Sequence, residues 1–279
     1  MSVNVDVKEK LELTISKYGI SQNRAAKDIG YSSSALSDYR HGKYTGDNEA
    51  LEAAILKWIG ILERANALKK VPIIETDALL QMTNAITMAH AEVDIALIIA
   101  DAGSGKTTAA KWYCEKNPRT TVLVNVVKGM SCKILLQEIG GQLGIEAHRM
   151  NQQALIGLIT NTLADKKMVV ILDEADYLKD DALEFSRRLV YDLGNSGLVL
   201  IGKPAFRGKI LNLRNDHRQL ESRIGVYLQL DGLSVKDSRK IARAVWSDAG
   251  NDLISEIYKQ SGNDVRLFAM MFCILPIIL

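Results

Sequence analysis

The pattern of hydrophobic and polar positions changes twice along the chain. Before a Lys-Lys-Val-Pro segment at 69–72, apolar residues recur every third or fourth position in short segments separated by glycines, which predicts an all-helical region. Five short apolar runs follow, each with the length and composition of a buried strand in a parallel sheet. The runs lie at 95–100, 121–127, 168–173, 198–202 and 226–230.

Amphipathic segments separate these runs and indicate helices. The helices are expected at 106–116, 131–143, 151–164 and 180–193. Strands that alternate with helices in this way are typical of an α/β protein, here with a parallel five-stranded sheet.

Helical periodicity returns beyond Asp231-Gly232, with Ser234 as the expected N-cap of the first helix. The predicted helices of this last region lie at 235–248, 251–261 and 264–275. The chain is therefore expected to contain a helix-turn-helix domain, an α/β core and a small helical lid. Their predicted ranges are 1–66, 67–232 and 233–279.

The composition predicts a folded protein of a reducing cytoplasm. The 279 residues are 47% apolar with a formal net charge of only +2, so any contact with nucleic acid must come from local patches. Three cysteines without a short paired spacing disfavour a disulfide framework or a structural zinc site. The first residues do not resemble a secretory signal, and the apolar tail at 267–279 is shorter than the ~20 residues of a membrane span, so no membrane partner is expected.

A glycine-rich loop follows the first predicted strand directly. Its sequence, ADAGSGKT, is close to the phosphate-loop pattern GxxxxGK[ST], with Ala100 at the first glycine position. Gly103 and Gly105 allow backbone amides to turn toward phosphate oxygens. Lys106 is expected to neutralise the β- and γ-phosphates of ATP, and Thr107 to ligand Mg²⁺, at the positive end of a helix. The other loop residues expected to contact the nucleotide are Ala102, Ser104 and Thr108.

A second acidic element follows the apolar residues 169–172. Asp173 is expected to hold Mg²⁺ through water, and Glu174 to orient and deprotonate the attacking water; the alternative is a solvated strand end. The strand at 198–202 is expected between the two motif strands, as in the additional-strand class of phosphate-loop ATPases. Lys203, at its carboxyl end, could therefore sense the γ-phosphate or be a surface lysine, since asparagine or threonine is more usual there.

Three arginines have possible roles in assembly and lid movement. Ring- and filament-forming ATPases place an arginine before the last strand to reach the neighbouring subunit's nucleotide; Arg223 is the first candidate and Arg218 the second. A solvated basic helix face is the alternative. Arg266, at the start of a later helix, could contact the phosphates or pair with Asp264 at the surface.

The N-terminal region contains a candidate reader of duplex DNA. Helices at 21–29 and 33–40, joined by a turn at Gly30-Tyr31, have the spacing of a helix-turn-helix. A small helical bundle that docks another protein is the alternative. The residues offered to a DNA groove are Ser32, Ser33, Ser34, Ser37 and Arg40, with Lys43 and Tyr44 as candidate backbone contacts.

The linear order of these motifs resembles the phage Mu transposition protein B family. The resemblance covers nearly the whole chain and includes HGKYTGDNE at 41–49, PIIET at 72–76, ILDEAD at 171–176, GLVLIG at 197–202 and SRI at 222–224. It implies an AAA+ ATPase of a phage, prophage or bacterial host. Such a protein forms ATP-dependent helical filaments on double-stranded target DNA, delivers that DNA to a transposase of the phage Mu A type and stimulates strand transfer.

The resemblance also assigns roles to residues and shows departures. It implies nucleotide binding by the phosphate loop, hydrolysis by Asp173 and Glu174, and inter-subunit and lid roles for Arg223 and Arg266. Ala100 and Lys203 depart from the usual residues, so hydrolysis could be slow or tuned. The loop at 146–153, strongly basic in the phage protein, keeps only two basic residues here. The candidate DNA contacts in the core are therefore Lys128, Lys133 and Arg149.

Two other functions fit the same residues. A replicative-helicase loader has a similar ATPase core, and co-purification with a helicase would favour it. A transcription regulator would use the helix-turn-helix to read one operator and the nucleotide domain as a switch. Sequence-tolerant binding with a steep salt dependence would favour the transposition function.

Overall fold

The computed structural model describes residues 5–69, 73–147, 150–211 and 218–278. By their contacts these residues form two units, the first containing 5–69 with 273–278 and the second containing 73–272.

Four helices make up residues 5–69 of the first unit: α1 (Val5–Tyr18), α2 (Gln22–Ile29), α3 (Ser33–Arg40) and α4 (Asn48–Lys69). Gly30 ends α2 in the left-handed region with φ 90°, and the Ser32 hydroxyl caps α3 by accepting the Ala35 amide at 3.1 Å. The two helices predicted on either side of Gly30-Tyr31 are therefore present. The 22-residue α4 is longer than the short segments expected, because its apolar periodicity continues through Gly60.

The core of this first unit joins all four helices. Its fully buried side chains include Leu11, Leu36, Tyr39, Leu51 and Ile55. The Tyr39 hydroxyl donates a hydrogen bond to Glu52 at 3.0 Å, so this fully buried aromatic ring has a partner for its polar end.

Five parallel strands form the sheet of the second unit. They are β1 (Ile95–Ala100), β2 (Thr121–Asn125), β3 (Val169–Asp173), β4 (Gly197–Gly202) and β5 (Ile224–Leu230), in the order β2-β3-β4-β1-β5. The predicted α/β class is confirmed, and β4 lies between β1 and β3 as expected. Every residue of β1, β3 and β4 is buried. These three strands are therefore packed along their whole length, and their carboxyl ends lie at the same edge of the sheet.

Helices cover both faces of this sheet and continue beyond it. They are α5 (Asp77–Glu92), α6 (Lys106–Lys116), α7 (Cys132–Gln142), α8 (Gln152–Lys166), α9 (Asp180–Ser186), α10 (Pro204–Leu211), α11 (Arg218–Glu221), α12 (Val235–Val245), α13 (Asn251–Ser261) and α14 (Val265–Ile278). Apolar residues of α5 and α6 pack on one face, and those of α7 and α8 on the other. A π-helix, Arg187–Leu193, continues α9, where the pattern predicted one uniform helix.

Helix α5 was absent from the sequence prediction. The Thr76 hydroxyl caps it by accepting the Leu79 amide at 3.1 Å. Its N-terminus receives a second cap from α12, because the carboxylate of Asp237, only 2% exposed, accepts the Asp77 amide at 2.7 Å. The start of the C-terminal helices is thus fixed to the start of α5. Among the described helices, none is both long and apolar enough to cross a bilayer.

Candidate nucleotide site

The glycine-rich loop connects β1 to α6. Gly103 and Gly105 have φ values of 76° and 88°, in the left-handed region that favours glycine. The Lys106 ammonium donates hydrogen bonds to the carbonyl oxygens of Ala100 and Asp101 at 2.7 and 2.6 Å. Burial lowers the pKa of Lys106, while nearby carboxylates, Asp173 first among them, act in the opposite direction. The lysine therefore lies folded over its own loop, at the first residue of a helix.

Thr107 and Asp173 connect the loop to the acidic strand end. The Thr107 hydroxyl donates a hydrogen bond to Asp173 Oδ2 at 2.6 Å, and Asp173 Oδ1 accepts the Glu174 amide at 3.0 Å. Asp173 is only 2% exposed. The two motif strands are separated by β4, yet Asp173 at the end of β3 is in direct contact with Thr107 in the helix that follows β1.

This pair fits the coordination chemistry of Mg²⁺. A hydroxyl and a carboxylate supply hard oxygen donors, and Mg²⁺ is usually held by one or two protein groups together with phosphates and waters. Within the described ranges, no group of three or more His, Cys, Asp or Glu side chains could hold a metal by itself. Thr107 and Asp173 would therefore hold the cation only together with a nucleotide.

Glu174 lies immediately beyond this pair. It is exposed and has φ 56°, a left-handed conformation that costs a non-glycine residue about 1–2 kcal/mol. A single 3₁₀ turn, Ala175–Tyr177, follows it. The strained backbone bends the chain away from β3 and leaves the carboxylate in the wall of the cavity.

One cavity of about 460 Å³ brings the predicted residues together. All ten residues predicted to bind the nucleotide line it, as does Glu174. The lining residues are Ala102, Gly103, Ser104, Gly105, Lys106, Thr107, Thr108, Asp173, Glu174, Asp176, Gly202, Lys203, Val265, Arg266 and Ala269. Sequence reasoning missed Asp176, Gly202, Val265 and Ala269. Gly202 and Val265 each directly precede a predicted residue. Asp176 lies two positions after Glu174, and Ala269 lies one helical turn beyond Val265.

The start of α14 contacts the loop. The Val265 amide donates a hydrogen bond to the Gly103 carbonyl at 3.1 Å. A Cβ atom placed on Gly103 would lie 2.2 Å from the Asp264 carboxylate and would overlap it. Both this overlap and the positive φ favour glycine at position 103. Asp264 Oδ1 accepts the Leu267 amide at 2.9 Å, and no ion pair joins Asp264 to Arg266 among the described residues. The alternative role of Arg266, a surface ion pair with Asp264, is therefore not seen among the described residues.

Arg223 lies outside the cavity of its own chain. Its side chain is 44% exposed, and its guanidinium donates to Asp192 Oδ1 at 2.5 Å. Asp192 also contacts the buried Arg187 of the π-helix. Arg218 begins α11, and its side chain is outside the described part of the structure. The role of Arg223 in a neighbouring subunit stays a prediction.

Several candidate DNA contacts of the helix-turn-helix have partners within the unit. The Arg40 guanidinium donates to both carboxylate oxygens of Glu12, at 2.6 and 2.7 Å. The Ser33 hydroxyl donates to Asn23 at 2.5 Å, and the Ser34 hydroxyl lies 3.0 Å from that of Ser32. The remaining candidates of this unit are the half-buried Ser37 and Tyr44 and the exposed Lys43.

In the second unit, Lys128 is exposed in the loop before α7, and Lys133 is exposed at the start of α7. Neither residue lines the cavity. Arg149 and its neighbour His148 lie outside the described residues.

Comparison with known proteins shows which proteins the chain resembles. Residues 91–210 match the profile of the AAA domain. The chain is 26% identical to the ATP-dependent target DNA activator B of Escherichia phage D108, over 95% of this chain and 88% of that protein, with the same figures for the protein of that name from Escherichia phage Mu. It is 24% identical to the Mu-like prophage FluMu DNA transposition protein B of Haemophilus influenzae, over 94% of each chain. Over nearly its whole length, the chain is therefore similar to transposition protein B of phage Mu and its relatives.

The fold of the chain is also similar to solved structures. The Aeropyrum pernix ORC2 protein superposes with a TM-score of 0.56 at 17% identity. The match covers 75% of this chain and 64% of the ORC2 chain, and it supports the AAA+ fold alone. An AAA domain is a phosphate-loop NTPase domain, which implies ATP binding.

Proposed function

We propose that the protein is an ATPase that assembles on duplex target DNA while ATP is bound, presents that DNA to a transposase of the phage Mu A type and stimulates strand transfer. The observation that carries the proposal is the contact between Thr107 and Asp173 at 2.6 Å, since it unites the phosphate loop and the acidic strand end in one cavity. The likeness to target DNA activators of two phages supports the choice of DNA and transposase as partners.

The residues of the cavity have separate tasks in this proposal. Lys106 transfers its hydrogen bonds from the loop carbonyls to the β- and γ-phosphates, while Thr107 and Asp173 hold Mg²⁺. Bound Mg²⁺ would neutralise charge on the phosphate oxygens. The Glu174 carboxylate accepts a proton from the water that attacks the γ-phosphate.

Assembly follows from where the arginines lie. Arg223 is exposed and absent from its own cavity, which suits a cation given to the site of the next subunit. Arg266 lines the cavity from α14 and would contact the phosphates from the lid. A site completed by two subunits explains why filament growth should depend on ATP.

Electron microscopy with ATP and duplex DNA tests the proposal. Lys106→Ala should abolish filaments, because the phosphates lose their main cation, whereas Glu174→Gln should bind ATP and stay assembled on DNA. Lys259→Ala, an exposed change on α13, is the control expected to behave like the parent. Lys106→Ala and Glu174→Gln variants that both assemble and disassemble as the parent does would refute the mechanism. A footprint confined to one palindrome would instead indicate a transcription regulator.

A further inference from the structure

Lys203, which lines the nucleotide cavity, contacts Tyr177. Lys203 directly follows β4, which lies between the strands that carry the phosphate loop and the acidic pair. Its ammonium donates a hydrogen bond to the Tyr177 hydroxyl at 3.0 Å and lies 4.9 Å from the centre of the ring. A hydrogen bond and a cation–π contact together hold this cation on the tyrosine.

No carboxylate in the described part of the chain forms an ion pair with Lys203. Among the ion pairs formed by the described residues, none includes it. The hydrogen bond with Tyr177 raises the pKa of Lys203, and the charges of Asp176 and Glu174 add to this effect from a greater distance. Lys203 is therefore a cation on a neutral phenol, and a charged phosphate oxygen is a stronger acceptor than a phenol oxygen.

Tyr177 is also connected to Glu174. The Tyr177 amide donates a hydrogen bond to the Glu174 carbonyl at 3.1 Å and closes the 3₁₀ turn between them. Glu174 has φ 56°, a conformation that persists only where the surroundings hold it. A movement of Tyr177 therefore acts on the backbone of Glu174 through one short turn.

We propose that Tyr177 is a positioning residue that holds Lys203 on its hydroxyl when the γ-phosphate is absent, and that Lys203 transfers to the γ-phosphate of bound ATP. The inference rests on the proposed ATP site and adds the pair that distinguishes ATP from ADP. ATP must compete with the Tyr177 hydroxyl for Lys203, whereas ADP lacks the phosphate group that would compete.

Equilibrium binding of fluorescent ADP and a fluorescent non-hydrolysable ATP analogue tests this proposal in the full chain. Tyr177→Phe keeps the ring and removes the hydroxyl, so it should tighten binding of the ATP analogue about three- to tenfold, the equivalent of one hydrogen bond, with ADP affinity unchanged. Lys203→Met should weaken the ATP analogue by about tenfold or more and leave ADP unchanged. Tyr227→Phe is the matched control, because the Tyr227 hydroxyl contacts Gln229 outside the cavity.

The double variant separates positioning from a general structural effect. Tyr177→Phe combined with Lys203→Met should bind both nucleotides as Lys203→Met does, because the hydroxyl acts only through the amine. Equal changes in ATP and ADP affinity on Tyr177→Phe, or an effect that persists in the Lys203→Met background, would overturn the inference. A parent protein that binds neither nucleotide would overturn the proposed function itself, and the inference with it.

Discussion

Thr107, near the start of α6, donates a hydrogen bond at 2.6 Å to Asp173, the last residue of β3. The contact forms although β1, the strand that precedes α6, is not a neighbour of β3 in the sheet. The intervening β4 ends at Gly202, and Lys203 beyond it enters the same cavity. The strand order therefore gathers three chemically different groups at one edge: a hydroxyl, a carboxylate and an ammonium. The geometry is that of a site for an anion together with a cation.

Thr107→Val replaces the hydroxyl with a methyl group of similar size. It should weaken Mg²⁺-dependent nucleotide binding by about tenfold or more, because Asp173 loses its hydrogen-bond donor and the cation loses an oxygen ligand. Calorimetric titration with ATP in Mg²⁺ and in chelator measures the effect. Thr162→Val, a half-buried change on α8 outside the cavity, is the matched control, and equal losses in both variants would contradict the assignment.

Gly103→Ala should disrupt the contact between the loop and α14. The added methyl would lie 2.2 Å from the Asp264 carboxylate, and the backbone has φ 76°, so the substitution is penalised by both contact and conformation. Nucleotide affinity should fall at least about tenfold, since the conformational strain alone costs about 1–2 kcal/mol.

Asp264→Ala in the same chain separates the two causes. It should restore part of the affinity lost by Gly103→Ala, because it removes the steric overlap but not the strain. Gly141→Ala, on α7 with no atom within 4 Å of the new methyl, should bind nucleotide as the parent does. Parental affinity in Gly103→Ala would show that the loop moves freely away from α14.

The predictable part of this molecule is local in sequence. The runs that became β1, β3 and β4 are buried along their whole length, and Gly103 and Gly105 have the positive φ values that the loop motif requires. The strand order also followed from the motif class, as β4 does lie between β1 and β3.

The missed features depend on partners far apart along the chain or on unusual helix geometry. Asp237 caps α5 from a position 160 residues away, and Asp264 approaches Gly103 only after the last helices pack. The π-helix at Arg187–Leu193 has the same apolar periodicity as an ordinary helix continuing α9. Neither the two contacts nor the π-helix could be predicted from the ten residues of sequence around each position.

Asp237→Ala should destabilise the second unit. Asp237 accepts the Asp77 amide at 2.7 Å while almost fully buried, so its removal leaves the start of α5 with one cap fewer and should lower the free energy of unfolding by about 1–2 kcal/mol. Lys236→Ala removes only an exposed ion pair with Asp77 and should have a much smaller effect on the free energy of unfolding. Hydrogen exchange of the α5 amides measures both, and equal effects would contradict the capping role.

Glu12→Gln should destabilise the first unit in a pH-dependent way. The hydrogen bonds from Arg40 hold the pKa of Glu12 below its usual value, so the ionised pair stabilises the folded state above the unfolded pKa of about 4.3. That contribution is lost as the pH falls through the lower pKa of the folded state.

Hydrogen exchange over residues 5–69 should therefore show a loss of about 1 kcal/mol at pH 7 that shrinks toward zero below about pH 4. Asp28→Asn, which removes the exposed pair with Arg24 at 3.9 Å, is the control with little effect. A loss for Glu12→Gln that stays constant with pH would contradict an ionic origin.

Calorimetric titration of ATP into the parent and into Lys106→Ala, each with Mg²⁺, tests the central claim that one nucleotide site joins Lys106, Thr107 and Asp173. We expect saturable binding by the parent at one site per chain, weakened by chelation of Mg²⁺ and abolished by Lys106→Ala. No measurable binding by the parent, or equal affinities for the two proteins, would contradict the account.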